Sequence, residues 1–421
     1  MLYKMSSHTK VVMTQSGKKL CNHITKKAIH YSNNFVSILP KIFDQQLNKL
    51  ENDLEKRFLQ LIAYECLYRG LIVPAEIETP YEETEYLRNL FPFESPEKGF
   101  FNQPITDYDA LRLKIEPSMV FVGIPCDLGS PRPGSRFGPE LLRERSLDFN
   151  FRSKIGNALW DISTGKNIFQ SGNFYDLGNV AFHNKSYENC IQTIKDIALS
   201  IPFNNIPLII GGDHSFSFPI IEATYEKRAK PFTVIQLDSH LDIQVWGKFK
   251  NFEPEHLDPI NHGNFISWVH KKMPELTILQ IGVFPYQSID DGENQNQDII
   301  NYLSSISKKI TNLEILSSPT YEIEWKLPHS EDVYLTIDVD VLNSFYVSQT
   351  GFPSPTGLNQ QQFLTILKKI CLQNNIIGVD LMEFGSSDKR ELHYNASTFL
   401  TAAILEIIKF ITEKTVDKGQ I

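Results

Sequence analysis

Cysteine is scarce in this chain, and the five present (Cys21, Cys66, Cys126, Cys190 and Cys371) are scattered, with no CxxC pair. An odd, dispersed set speaks against a disulfide framework and fits reduced, intracellular thiols. Lys/Arg-rich blocks are missing, and acids and bases are mixed along a chain of net charge −9, which argues against a nucleic-acid groove. The N-terminus has no continuous apolar run of signal-peptide type, and no later run reaches membrane-spanning length, so a cytoplasmic protein with no membrane partner is expected. The basic, hydroxyl-rich start is also the composition of an organelle transit peptide. Internal repeats are absent, which excludes a solenoid.

What is present is enough apolar residue, 41% of 421, for one large core and an appendage. Residues 1–40 show no clear period and are expected to be loosely held. From 41 to 115 the pattern predicts a helical extension and a linker. Phe43, Leu47, Leu50, Leu54, Phe58 and Leu61 draw one helical stripe. A shorter helical pattern covers Glu82–Leu90. Residues 91–107, rich in Pro, Gly, Asn and aromatics, read as a linker or lid. From 116 to 421, strand-like runs (Met119–Gly123, Pro207–Ile210, Phe232–Asp238, Thr277–Gly282, Val333–Asp338, Ile376–Glu383) alternate with helical patterns (Pro139–Ser146, Ser186–Ser200, Phe218–Lys227, Asn359–Cys371, Ala396–Lys414). Alternation of this kind predicts an α/β fold with a mainly parallel sheet, whose ligands sit beyond the carboxyl ends of the strands.

Three of those strand ends carry chemistry. Val234–Asp242, VIQLDSHLD, presents Asp238, His240 and Asp242 two residues apart, and side chains two apart in extended backbone point the same way. Ile209–Ser215 passes through Gly211 and Gly212 to Asp213 and His214. Leu335–Asp340 ends in Asp338 and Asp340. Any one of these acids alone would read as a cap on the next turn or helix. Four carboxylates and two imidazoles on three strand ends are too many for a single structural zinc. Oxygen ligands with a minority of imidazole suit two hard or borderline cations that share bridging carboxylates and a bridging water.

GGDHS at 211–215, DSHLD at 238–242 and DVD at 338–340 resemble the three metal motifs of the ureohydrolases: arginase, agmatinase and their relatives. Gly123–Gly129, Arg132–Pro139 and Asp176–Val180 resemble further landmarks of that family, in the same order. The resemblance implies a three-layer α/β/α fold and two Mn2+, with Ni2+ or Zn2+ as alternatives. It implies His214 and Asp242 on one ion, His240 and Asp340 on the other, and Asp238 and Asp338 bridging. It implies a metal-bridging hydroxide that attacks the carbon of a guanidinium and releases urea, with Asp242, His262 and Glu383 as the catalytic residues. Glu383 would orient the guanidinium, and His262, with His256 as its rival, would shuttle the proton. Asp213 would orient a ligand or loop, and His183, His270 and His393 read as ordinary surface or packing residues. Homo-oligomeric assembly is also implied.

The departures from the family pattern bear on the substrate. Gln244 lies where arginases hold a substrate carboxylate, and Trp246 would crowd an amino-acid head group. Leu342-Asn343-Ser344 stands where an Asp-Pro pair is usual, the loop 349–358 is altered, and no Arg follows Gly282. Asp290 and Asp291 are candidates for contact with a substrate amino group. Arginine, agmatine and a peptide arginine all stay open as substrates. So do a formimidoyl-amino-acid hydrolase and a non-catalytic binding protein of the same fold.

Overall fold

Strands covered by helices on both faces must be apolar on both faces, and the described core follows that rule. The computed structural model describes residues 118–149, 158–169, 174–182, 186–287, 296–318, 326–385 and 394–418, and upstream of these 3–14, 17–22, 28–30, 71–75, 77–80, 93–94 and 98–106, with a few single residues besides. The chain divides into two compact units, Met1–Pro92 and Phe93–Ile421.

In the larger unit a nine-stranded sheet is built from β1 (Phe93–Glu94), β2 (Met119–Gly123), β3 (Phe174–Val180), β4 (Ile206–Ile210), β5 (Thr233–Leu237), β6 (Thr277–Val283), β7 (Lys308–Thr311), β8 (Asp332–Asp338) and β9 (Asn375–Met382). Its spatial order is β7-β6-β5-β8-β9-β4-β2-β3-β1. Strands β2 to β9 pair in parallel and only β1 runs antiparallel. Helices α1 (Gly138–Ser146), α2 (Tyr187–Ser200), α3 (Ser217–Arg228), α4 (Phe265–Lys272), α5 (Asn296–Ile306), α6 (Asn312–Ser317), α7 (Gln360–Gln373) and α8 (Tyr394–Lys418) cover it. The apolar side chains of α1, α6, α7 and α8 form one cluster with one sheet face, and those of α2 to α5 form the other. This is the expected α/β/α arrangement.

Each strand and helix expected in 116–421 is present. Strands β3 and β7 were not expected, because Asp176, Gly178 and Asn179 interrupt the first and Lys308-Lys309 opens the second, an edge strand. Asp176 is tolerated inside because Arg143 (3.2 Å) and the amide of Phe100 (2.7 Å) meet its carboxylate. Residues 98–106, read as linker or lid, belong to the larger unit: Phe100 and Phe101 are fully buried in its core. The residues Tyr394–Glu413 of α8 are long and apolar enough to cross a membrane, contrary to the sequence reading, but 61% of that stretch is buried inside the protein. It serves as a core helix.

In the smaller unit Thr9–Thr14, Gly17–Asn22 and Ala28–His30 make an antiparallel three-stranded sheet, and Tyr3–Met5 pairs with Ile72–Pro74. Regular structure thus occurs where no period was read. The helical stripe from Phe43 to Leu61 lies outside the described residues, as does the 82–90 pattern from 83 on.

The loop that carries His214 depends on close backbone approach. A Cβ at Gly212 would fall 1.5 Å from the carbonyl oxygen of Cys126. Replacing Gly212 by Ala is therefore expected to cost on the order of 3 kcal/mol, the upper end for overpacking. The check is the midpoint of chemical denaturation of the metal-free protein.

Candidate metal centre

Strands β5, β8, β9 and β4 are neighbours at the middle of the sheet, and their carboxyl ends deliver every candidate ligand. His214 opens the short turn after β4, whose start Asp213 caps by accepting from the Ser215 amide (3.0 Å). Asp213 also accepts from the amide of Gly129 (2.9 Å), tying this loop to the Arg132–Pro139 approach. Its anticipated role of orienting a loop agrees with these bonds.

The six expected ligands come together. Nδ1 of His214 lies 3.1 Å from Asp238 Oδ2, 3.1 Å from Asp242 Oδ2 and 3.4 Å from Asp338 Oδ2. Nδ1 of His240 lies 2.9 Å from Asp340 Oδ2 and 3.6 Å from Asp238 Oδ1. Two metal-sized groups result, His214-Asp238-Asp338 and Asp238-His240-Asp340, with Asp238 common to both. The first is buried, whereas the His240 side chain is 45% exposed. Asp238 and Asp338 each turn Oδ1 to their own loop, accepting from the amides of His240 (2.6 Å) and Asp340 (2.9 Å).

The hydrogen bonds around His214 indicate what belongs there. Thr336 has one hydroxyl proton and gives it to Asp380 Oδ1 (2.6 Å). Its oxygen therefore accepts from His214 Nε2–H (2.8 Å). That leaves the lone pair of a neutral ring's Nδ1 facing three carboxylate oxygens, and this buried atom has no hydrogen-bond partner. Such a lone pair among anions needs a proton or a cation. The titration behaviour says the same. Burial opposes charge on His214, but Asp238, Asp242 and Asp338 outweigh it and raise its pKa. Against burial, Asp238 and Asp340 hold His240 up at about 12. Burial and the charge of Asp238 push Asp242 up to about 7. Burial and the charges of Asp340 and Asp238 push Asp338 well up. A pair of divalent ions would replace the protons this crowd of anions otherwise demands, so the donor set fits the ions.

Glu383 ends β9 and is buried. Its Oε1 accepts from the His214 amide (3.0 Å), while Oε2 is buried without a partner. Both Glu383 (φ 64°) and Asp242 (φ 48°) hold left-handed backbone, a strain that persists only where the surroundings enforce it. His262 Nδ1 lies 3.6 Å from Glu383 Oε1. Burial and the positive charges of His214 and His240 lower His262 to about 4, so the ring is a neutral proton acceptor at neutral pH. The rival His256 is exposed, and its backbone oxygen accepts from Gln244. His270 is half-buried in α4; His183, His393, Asp290 and Asp291 lie outside the described residues.

Gln244 is not free to meet a substrate. Its amide donates to His256 O (3.0 Å), and its oxygen accepts from the Asp258 amide (2.8 Å). Trp246 Nε1 is likewise held by Asp258. Residues given no role at the site from sequence complete it. Phe352 stacks on His262 (5.1 Å between centroids) and meets His240 edge-on (6.0 Å). The guanidinium of Arg132 lies 4.1 Å from the Phe352 ring centre. Thr336 and Asp380 had one legible signal, a polar side chain within an otherwise apolar strand.

The model of the arginase family matches residues 117–406, well over half of the chain. The chain belongs to the arginase family. The ureohydrolase resemblance read from its motifs is thereby upheld, and membership makes it a hydrolase acting on C–N bonds. It is 28% identical over 304 residues to the human protein named guanidino acid hydrolase, mitochondrial, covering 68% of this chain and 78% of the relative. It is 28% identical over 272 residues to the Bacillus subtilis agmatinase, covering 64% and 83%. Among solved structures, proclavaminate amidino hydrolase from Streptomyces clavuligerus superposes with TM-score 0.60 at 21% identity, over 76% of this chain and 98% of that one. Trypanosoma cruzi formiminoglutamase with Mn2+2 superposes with TM-score 0.55 at 15% identity, over 73% and 98%. These two likenesses concern the fold.

Proposed function

We propose that this arginase-family chain hydrolyses a guanidino group and releases urea, at a site that holds two Mn2+, with Ni2+ or Zn2+ as alternatives. The observation that carries the reading is the bare Nδ1 of His214 among three carboxylate oxygens at 3.1–3.4 Å. His214 and Asp242 would hold the inner ion and His240 and Asp340 the outer, with Asp238 and Asp338 between them. When bound, such a pair supplies Lewis acidity and an activated water. The unpartnered oxygen of Glu383 supports a role in holding the cationic guanidinium by charge-assisted N–H···O bonds. His262, neutral and stacked on Phe352, suits the task of carrying a proton to the departing amine. Five dispersed cysteines, an odd number with no CxxC pair, suit a reducing, cytoplasmic setting.

The substrate is a small guanidine, such as arginine or agmatine, or an arginine within a peptide.

Urea release is measured with Mn2+-loaded protein on arginine, agmatine, other linear guanidines and an arginine-containing peptide. Urea from at least one of them, dependent on metal, is expected. Formamide from a formimidoyl amino acid, with no urea from any guanidine, would move the assignment within the family. Absence of metal from the purified and metal-treated protein would support the non-catalytic alternative.

A further inference from the structure

One row of the sheet is polar where its neighbours are apolar. Gln280 on β6, Gln236 on β5, Thr336 on β8 and Asp380 on β9 are register partners across four adjacent strands. All four are completely buried. Register partners share a sheet face, so the row forms a single layer beneath the strand ends that carry the ligands. Burying four polar side chains is costly unless each is satisfied, and their bonds run toward the inner cation group. The Thr336–Asp380 end meets His214. The Gln236–Gln280 end meets the carboxylates.

Every polar atom of the two amides is used, which fixes their orientation. Gln236 Nε2 donates to Asp238 Oδ2 (2.6 Å) and Asp242 Oδ2 (3.0 Å). Carboxylates only accept, so the nitrogen must face them. Gln236 Oε1 accepts from Gln280 Nε2 (2.7 Å), whose second proton goes to Leu241 O (2.6 Å). Gln280 Oε1 accepts from Ser307 Oγ (2.6 Å), and Ser307 Oγ accepts from Lys309 Nζ (2.8 Å). The chain from Lys309 to the carboxylates therefore has one sense, with every proton directed toward Asp238 and Asp242. Bonds aligned in one sense polarise and strengthen one another.

We propose that Gln236, locked by Gln280, positions Asp238 and Asp242 and thereby sets the affinity of the inner cation of the proposed pair. The inference rests on the two-cation reading of this site. A neutral donor suits the place: it holds two like-charged carboxylates 3.1 Å from the same imidazole nitrogen without the positive charge that would compete with the ion. The outer group draws nothing from the two amides except through Asp238, since Asp340 is held instead by Ser239 (2.8 Å from its hydroxyl).

The test uses the full chain, stripped by chelator and titrated with Mn2+ while free ion and the electron paramagnetic resonance spectrum are followed. Wild-type protein should take up two ions and show an exchange-coupled pair. Gln236→Met, nearly isosteric but without a donor, should bind the inner ion about 10- to 100-fold more weakly, the usual effect of removing a bond to a ligand. The coupled signal should then give way to that of single ions at concentrations that saturate the wild type. Gln280→Met leaves the donors of Gln236 in place but unlocks them, and should weaken the inner ion in the same direction by less. Should Gln236→Met fail to fold, Gln280→Met decides alone. Wild-type affinity for both ions and an unchanged coupled signal in the folded variants would overturn the inference. Wild-type protein that binds no pair would instead sink the two-cation reading itself.

Discussion

Replacement of Asp338 by Asn is expected to remove the metal pair and reduce urea release about a thousandfold, taking about 4 kcal/mol for the charge stabilisation that a metal site supplies. Asp338 Oδ2 lies 3.4 Å from His214 Nδ1, and its Oδ1 accepts from the amide of Asp340 (2.9 Å). Asn keeps that acceptor, so the turn bearing Asp340 is retained while the charge is lost. The metal-free fold should not suffer. Burial and the charges of Asp340 and Asp238 push the Asp338 carboxyl well up, so its charge is unfavourable without metal and a neutral amide relieves that cost. The variant should therefore melt at or above the wild-type temperature without Mn2+ and gain little on its addition. Elemental analysis with paired melting curves checks this. A full metal complement and unchanged turnover would overturn the site assignment.

Glu383→Gln is expected to separate substrate binding from metal binding. The amide oxygen can still accept from the His214 amide, which Glu383 meets at 3.0 Å, so His214 keeps its place and both ions should remain. What disappears is the anion opposite a cationic guanidinium. Loss of one partner from a buried charged pair costs about 2–5 kcal/mol, which is about thirtyfold to several-thousandfold in kcat/KM. Analogues lacking the positive charge should lose much less. Steady-state kinetics on charged and neutral substrates, with metal content measured on the same samples, makes the check. Equal losses for both would mean that Glu383 shapes the loop rather than meeting the guanidinium.

The ligand set was legible because its chemistry is local. Asp238, His240 and Asp242 lie two apart just after one strand, and Asp338 and Asp340 two apart at the end of another, so the donors are grouped in sequence, although the left-handed backbone at Asp242 and the short turn Val339–Val341, rather than extended alternation, set where they point. The apolar runs marked the buried strands for the same reason. Strand β3 escaped notice because Asp176 breaks its run, and its partner Arg143 lies 33 residues away. The N-terminal strands escaped because short, polar, Lys-bearing strands have no apolar alternation to read.

The sequence by itself determined the strand-and-helix alternation, the strand ends bearing ligands, and the donor types presented there, because each depends on residues within a few positions of one another. Tertiary structure alone decided that Gln244 is closed onto residues 256–258, that Phe352 packs on both site histidines, and that Gln280, Gln236, Thr336 and Asp380 share a row. The physical reason lies in parallel pairing. Parallel neighbours are joined by long crossovers, so those four row partners come from distant parts of the chain. Which residue lies beside which is settled only when the whole sheet packs in register.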